Sequence, residues 1–193
     1  MQFDLTQLIA IAAALGWASG LRLYAVVFLT GLAGWLGWVH LPGDLHVLAS
    51  PIVLGASALM LVLEFFVDKI PVLDSVWDAI HTFVRIPAGA ALAAAVFGGD
   101  QASWVTAAAL MGGTLAATSH AAKLTTRASA NASPEPFSNI ALSLLGDGAV
   151  PVVLWLSWVH PVVALVVVWV LWRFIARLMR RMRGGYVEPA LER

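Results

Sequence analysis

Glu64, Asp68, Lys69, Asp74, Asp78, His81 and Arg85 crowd into one short stretch of a chain that is 61% hydrophobic and only 11% charged. Asp74, Asp78, His81 and Arg85 follow a spacing of i, i+4, i+7 and i+11, which a helix gathers on one face. His120, Lys123, Arg127 and Asn131 repeat the i, i+3, i+7 spacing further along. One stripe carries two acids and the other two bases, so the two predict either an inter-helical salt-bridge seam or a gate of Asp68, Asp74, Asp78, His81 and Arg85. In a gate, the ion pairs would exchange partners with a solute.

Glu64 of that stretch, with Asp147 and Arg22 elsewhere, lies off these stripes. Glu64 and Asp147 each lie inside an apolar run, where desolvation raises a carboxyl pKa and suits it to reversible protonation. Asp147 is flanked by Gly146 and Gly148, which permit close approach, and Pro151 leaves the carbonyl four residues back without a helical donor. Arg22 is always charged, and its planar fork suits a carboxylate or phosphate. Arg22, His120, Lys123 and Arg127, with Glu64 and Asp147, form the expected substrate and ion site, the bases favouring an anionic solute or a lipid headgroup. The competing expectation is that Arg22 simply pairs with Asp147 or Glu64.

Other chemistry is not expected. The chain has no cysteine, which removes thiolate catalysis and Cys-based metal sites. Its five histidines show no i, i+4 ligand pair, and no nucleophile motif or phosphate loop is present. Neither enzyme activity, a cofactor, a metal nor nucleic acid is expected.

The elements that position these residues are membrane helices. A mean hydropathy of +0.87 and a charged fraction less than half the usual quarter place the chain outside soluble domains. Six spans can be drawn, at 7–37, 49–68, 79–98, 104–123, 138–158 and 161–180, the last five each near the roughly 20 residues a bilayer requires. The first is too long for a straight crossing and is expected to break at Gly16–Gly20, just before Arg22. Lys69, Lys123, Arg127 and the arginines from Arg173 to Arg183 fall on one side, with Trp35, Trp38, Trp104, Trp155 and Trp158 at the other. The positive-inside rule then puts both termini in the cytoplasm. Ser50-Pro51 precedes Glu64 by the same interval as Ser133-Pro134 precedes Asp147, which suggests inverted three-helix repeats, 5–98 and 104–180. Residues 1–183 form one transmembrane domain and 184–193 a short cytoplasmic tail.

The segments LGWASGLRLYAVVFLTGL, LEFFVDKIPVLDSVWD with HTFVRIPAGA, and TSHAAKLTTRASANASPEPFSN followed by LLGDGAVP resemble a family of bacterial integral membrane proteins, the domain of unknown function 4126. The resemblance implies a small inner-membrane protein and carries no substrate or mechanism. The residues themselves lead to an all-α polytopic protein with interrupted helices. Its expected role is a small transporter or channel-like protein for a polar or anionic solute, proton-coupled and pairing with a second copy through Gly/Ala-rich faces. The alternative is a non-transporting scaffold. A transporter needs water to reach Asp147 or Glu64, whereas a scaffold buries both against basic partners.

Overall fold

The computed structural model describes residues 3–70, 72–99, 101–131 and 136–184. The expected tail beyond Gly184 and the Ser133-Pro134 pair lie outside them. Among the described residues the chain is all-helical: α1 (Leu5–Trp35), a 3₁₀ segment (Gly43–Ala49), α2 (Pro51–Val67), α3 (Leu73–Ala95), α4 (Ala102–Asn131), α5 (Pro136–Val159) and α6 (Pro161–Gly184). The starts are written in the sequence. Asp4 accepts from the Gln7 amide at 2.7 Å to cap α1, and Ser50 caps α2 with Pro51 in its first turn, where a missing N–H costs nothing.

Leu5–Trp35, Ile140–Val159 and Pro161–Leu178 are long and apolar enough to cross a membrane. The 3₁₀ segment and α2, bent by 72°, make a fourth candidate when taken as one broken span. In α3 and α4 the apolar run is interrupted by the acidic and basic stripes.

Helix α1 is the centre of the bundle. It packs against every other helix, and its residues from Ala10 to Gly20 are all buried. It is not a straight rod. Arg22 has φ −144° and ψ 76°, well outside helical values, and there the chain doubles back. The Gln7 side chain donates to the Trp158 carbonyl at 3.3 Å, and the Trp158 indole donates to the His40 carbonyl at 3.2 Å. One residue near the end of α5 thus touches both the start of α1 and the loop just past its end. A straight helix of this length would hold those points about 46 Å apart, at about 1.5 Å per residue. The break anticipated at Gly16–Gly20 therefore exists, a turn later than expected, and it is a reversal.

The glycines explain why the break is not among them. A Cβ on Gly16 would come within 2.5 Å of Gly112 Cα, and one on Gly112 within 2.6 Å of the Gly89 carbonyl. These small residues let α1, α4 and α3 touch backbone to backbone, a contact the helix must stay regular to make. The first arm, Leu5–Leu21, descends along α4, with Gly16 beside Gly112 and Gly20 beside Ala116 and Ser119. The second arm, from Leu23 on, returns along α5, with Leu29, Thr30 and Ala33 opposite Pro151, Leu154 and Trp158. Leu5 therefore lies at the tryptophan end of the bundle and the arginine-rich end of α6 at the other. The hairpin thus sets the start of α1 and the end of α6 at opposite ends of the bundle, where the charge pattern expects both on one side. Basic residues could not report this, because the first arm carries none.

Among the described residues, much of the surface outside the hairpin is hydrocarbon. Only Ser57 and Glu64 of α2 are buried, and α6 presents Val162, Val166, Trp169, Val170 and Phe174 outward. Contiguous apolar exposure on this scale fits a lipid-facing surface.

Candidate functional site

The hairpin tip delivers Arg22 to a buried network of charge. Its guanidinium bonds Asp68 through Nη1 and Asp147 Oδ1 through Nη2 at 2.9 Å. Nη2 also donates to the Ser143 hydroxyl at 2.8 Å and to the Ser143 carbonyl at 3.2 Å. Asp68 follows the last turn of α2 and receives two more cations, Lys123 at 3.1 Å and Arg127 at 3.0 Å.

The stripes on α3 and α4 interlock as their spacing predicts. Arg127 reaches Asp74 at 3.0 Å and Asp78 at 3.4 Å, and Lys123 reaches Asp78 at 2.9 Å. Arg85, a further turn along α3, joins Asp78 at 2.6 Å to Glu64 of α2 at 2.5 Å. His120 fills the gap between this seam and the hairpin. Its Nδ1 lies 3.2 Å from the Gly20 carbonyl and 3.3 Å from Arg85 Nη1, and its Nε2 lies 2.7 Å from Thr82 Oγ1. The Gly20 carbonyl is among those whose ladder bonds would span the distorted residue, so α4 supplies a polar neighbour where the helix breaks.

His81 stands aside from the ion pairs. Its Nδ1 donates to the Trp77 carbonyl at 2.8 Å, which leaves Nε2 to accept from the Tyr24 hydroxyl at 3.1 Å. Trp77 stacks on the ring with centroids 4.1 Å apart. The expected grouping of His81 with Asp78 and Arg85 holds for the helix face, while its hydrogen bonds go to its own backbone and to the hairpin.

Among the described residues, five bases (Arg22, Lys69, Arg85, Lys123, Arg127) therefore meet five acids (Glu64, Asp68, Asp74, Asp78, Asp147), and formal charge cancels. Such pairs are costly to break one side at a time, because the remaining ion is stranded in low dielectric. The members are unequal in access. The side chains of Glu64, Asp68, Asp74 and Asp78 are 0% exposed, whereas Asp147 is 23% and Lys69 21% exposed. Lys69 Nζ approaches Asp147 Oδ2 at only 3.5 Å and also bonds the Phe65 carbonyl at 3.1 Å. Of the two glycines beside Asp147, Gly148 lies on the exposed outer face of α5, whereas a Cβ on Gly146 would lie 3.8 Å from Arg22 Nε.

One turn beyond Asp147, a cavity of about 410 Å³ opens between the second hairpin arm and α5. Leu29, Thr30, Ala33, Pro151, Leu154 and Trp155 line it, with Trp38, Val39, Trp158 and Val159 towards the tryptophan end. Arg22, Leu29 and Ala33 on one side, and Asp147, Pro151, Leu154 and Trp158 on the other, make a single seam, charged at its base and apolar above. Because Pro151 has no amide hydrogen, the Asp147 carbonyl has no helical donor.

Arg22, Glu64, Asp68, Asp74, Asp78, Arg85, His120, Lys123, Arg127 and Asp147 thus form one connected cluster. Lys123 and Arg127, expected to favour an anionic solute, are each bonded to two or three carboxylates. The partners that spacing did not single out are Lys69, Ser143, Thr82 and Tyr24. Lys69 was visible as a charge beside Asp68, but its partner lies on α5, far away in sequence. Among the described residues no three His, Asp or Glu side chains gather to hold a metal ion.

No curated protein and no solved structure matches this chain. The model of the family described as "Domain of unknown function (DUF4126)" matches residues 9–181, and the chain belongs to that family.

Proposed function

We propose that this protein is a multi-pass membrane protein of the bacterial inner membrane that moves a small anionic solute together with a proton. Asp147 is the coupling carboxylate, and Arg22 with Lys69 is the cation pair that receives the anion. The arginine-rich end of α6 faces the cytoplasm, in keeping with the positive-inside rule. The hairpin reaches in from the tryptophan end, and the five remaining helices complete the domain. The six-span count is replaced in this reading by five spans and a re-entrant hairpin.

The observation that carries the proposal is the unequal access within the network. Asp147 is the partly exposed acid at the edge, shared between two cations and one helical turn from a cavity. Non-helical backbone at membrane depth is stable only when buried in protein or lining a wet cavity, and interrupted helices of this kind hold solute sites in transporters. Protonating Asp147 removes its charge from Arg22 and Lys69 and leaves them short of an anion, which the solute supplies. Proton and anion then load together. Glu64, sealed against Arg85, has a structural role in this reading, as do Asp68, Asp74, Asp78, Lys123 and Arg127.

A second reading, a non-transporting scaffold, draws on the complete pairing of the four sealed acids. Reconstituted vesicles separate the two. With an inward proton gradient and a panel of external anions, protein-containing vesicles should acidify internally faster than protein-free ones, and Asp147→Asn should abolish the difference. Acidification matching protein-free vesicles for every anion, or a rate untouched by Asp147→Asn, rejects the coupling role and favours the scaffold.

A further inference from the structure

We infer that the solute is an amphipathic monocarboxylate, a carboxylate head carrying a short alkyl or aromatic tail. The inference rests on the coupling reading above and adds the substrate class. Two independent features meet on the seam between the second hairpin arm and α5.

The first is the head site. The Asp147 carboxylate occupies it, one oxygen 2.9 Å from Arg22 Nη2 and the other 3.5 Å from Lys69 Nζ. It is an internal stand-in for the ligand: a planar, singly charged, two-oxygen anion with a different cation facing each oxygen. The Ser143 hydroxyl, 2.8 Å from Arg22 and 3.5 Å from Lys69, holds the two bases towards one point. Arg22 and Ser143 are each 1% exposed, so the inner half of the head site is built into the protein, while Lys69 and Asp147 at its rim are about a fifth exposed. Arg22 gives this carboxylate one arm of its fork, the other being held by Asp68, and Lys69 meets the second oxygen, so two charge-assisted contacts from different bases fix a two-oxygen anion. A doubly charged tetrahedral anion would bring more charge than one displaced carboxylate leaves uncompensated.

The second feature is the cavity of about 410 Å³, which begins at Pro151, one helical turn from Asp147. Its volume lies in the range of small-molecule sites. Apart from Thr30, its lining side chains are hydrocarbon or indole: Leu29, Ala33, Pro151, Leu154 and Trp155 around the middle. A hydrated inorganic anion gains nothing there, whereas an apolar tail fixed to a carboxylate head spans both parts. Charge complementarity at the base and apolar surface above select head and tail on one molecule.

Equilibrium binding of radiolabelled hexanoate to the purified full-length protein in detergent, corrected for empty micelles, tests the inference. Acetate, inorganic phosphate, hexanol and hexylamine serve as competitors. Hexanoate should bind saturably, more tightly as pH falls, and about tenfold or more tighter in Asp147→Asn at neutral pH, where the internal competitor is gone. Lys69→Gln and Ala33→Trp, the first removing half the head site and the second filling the cavity, should each weaken binding by about tenfold or more. Circular dichroism and elution volume confirm that each variant is folded. Phosphate or acetate competing as well as hexanoate would overturn the substrate class while leaving proton-anion coupling intact. Hexanol competing equally, or hexanoate binding indifferent to both Ala33→Trp and Lys69→Gln, would show adsorption of a tail alone and overturn the inference. Absence of saturable binding in folded Asp147→Asn would do the same.

Discussion

Glu64→Gln is the sharpest test of the view that the sealed acids hold the fold while Asp147 exchanges. Arg85 is 0% exposed and is held by two carboxylates, Glu64 at 2.5 Å and Asp78 at 2.6 Å. Asp78 is already shared with Lys123 and Arg127, so it cannot turn to Arg85 alone. Neutralising Glu64 leaves five bases in the network against four acids. Breaking one side of a buried pair costs about 3–5 kcal/mol, which for a chain of this size lowers the melting temperature by on the order of 10 °C. Asp147→Asn removes the same formal charge at a partly solvated edge, where Arg22 keeps Asp68, and should cost about 1 kcal/mol. Thermal unfolding in one detergent, followed by circular dichroism, reads both. The double variant Glu64→Gln/Arg85→Gln restores parity while Asp78 keeps two bases. It should therefore be more stable than the sum of the single effects by about 1–3 kcal/mol. Equal costs for Glu64→Gln and Asp147→Asn, or strict additivity in the double variant, would refute the distinction between sealed and exchangeable acids.

Other expectations follow from the backbone. Gly16→Val forces a side chain against Gly112, where even a Cβ would sit 2.5 Å from the backbone. Overpacking of this kind should cost about 3 kcal/mol, visible as lost folded yield on size-exclusion chromatography; near-normal yield would show that α1 and α4 do not pack this way. Val72, which precedes α3, has φ 73°, a conformation costly for a β-branched residue. Val72→Gly should raise stability by about 1 kcal/mol in thermal unfolding, and a fall would mean that the residue is not strained. Tyr24→Phe removes the donor to His81 and should cost about 1 kcal/mol, with no effect on hexanoate affinity, since neither residue lies on the head-and-tail seam.

Much of the site was legible in the sequence because helical spacing is local. Asp74, Asp78 and Arg85 share a face by arithmetic, as do His120, Lys123 and Arg127, and stripes of opposite charge in apolar helices have few partners except each other. The pairing of Arg22 with Asp147 could be weighed for the same reason. The reversal of α1 could not. Periodicity and hydropathy register that a helix is too long for a membrane but carry no sign of direction, and the residues flanking Arg22 are good helix formers on both sides. What fixes the reversal is tertiary: the Gly16–Gly112 contact, the His120 and Asp68 contacts at the tip, and the Trp158 bonds to both ends. The partner of Lys69 escaped notice because its relation to Asp147 depends on where the end of α2 lands against α5, which no spacing encodes.

The native chain has no cysteine, so water access at the seam can be read with single-cysteine variants. Gly146→Cys places a thiol beside Arg22 and Asp147, where a Cβ would lie 3.8 Å from Arg22 Nε, and Ser119→Cys places one at a fully buried position between α4 and the hairpin. Both variants are treated in sealed vesicles with a water-soluble, membrane-impermeant thiol reagent. The Gly146→Cys protein should react from at least one side, more slowly when hexanoate is present, while the Ser119→Cys protein stays unlabelled. A Gly146→Cys thiol as inert as the Ser119→Cys one from both sides would mean a dry Asp147 and would contradict the account.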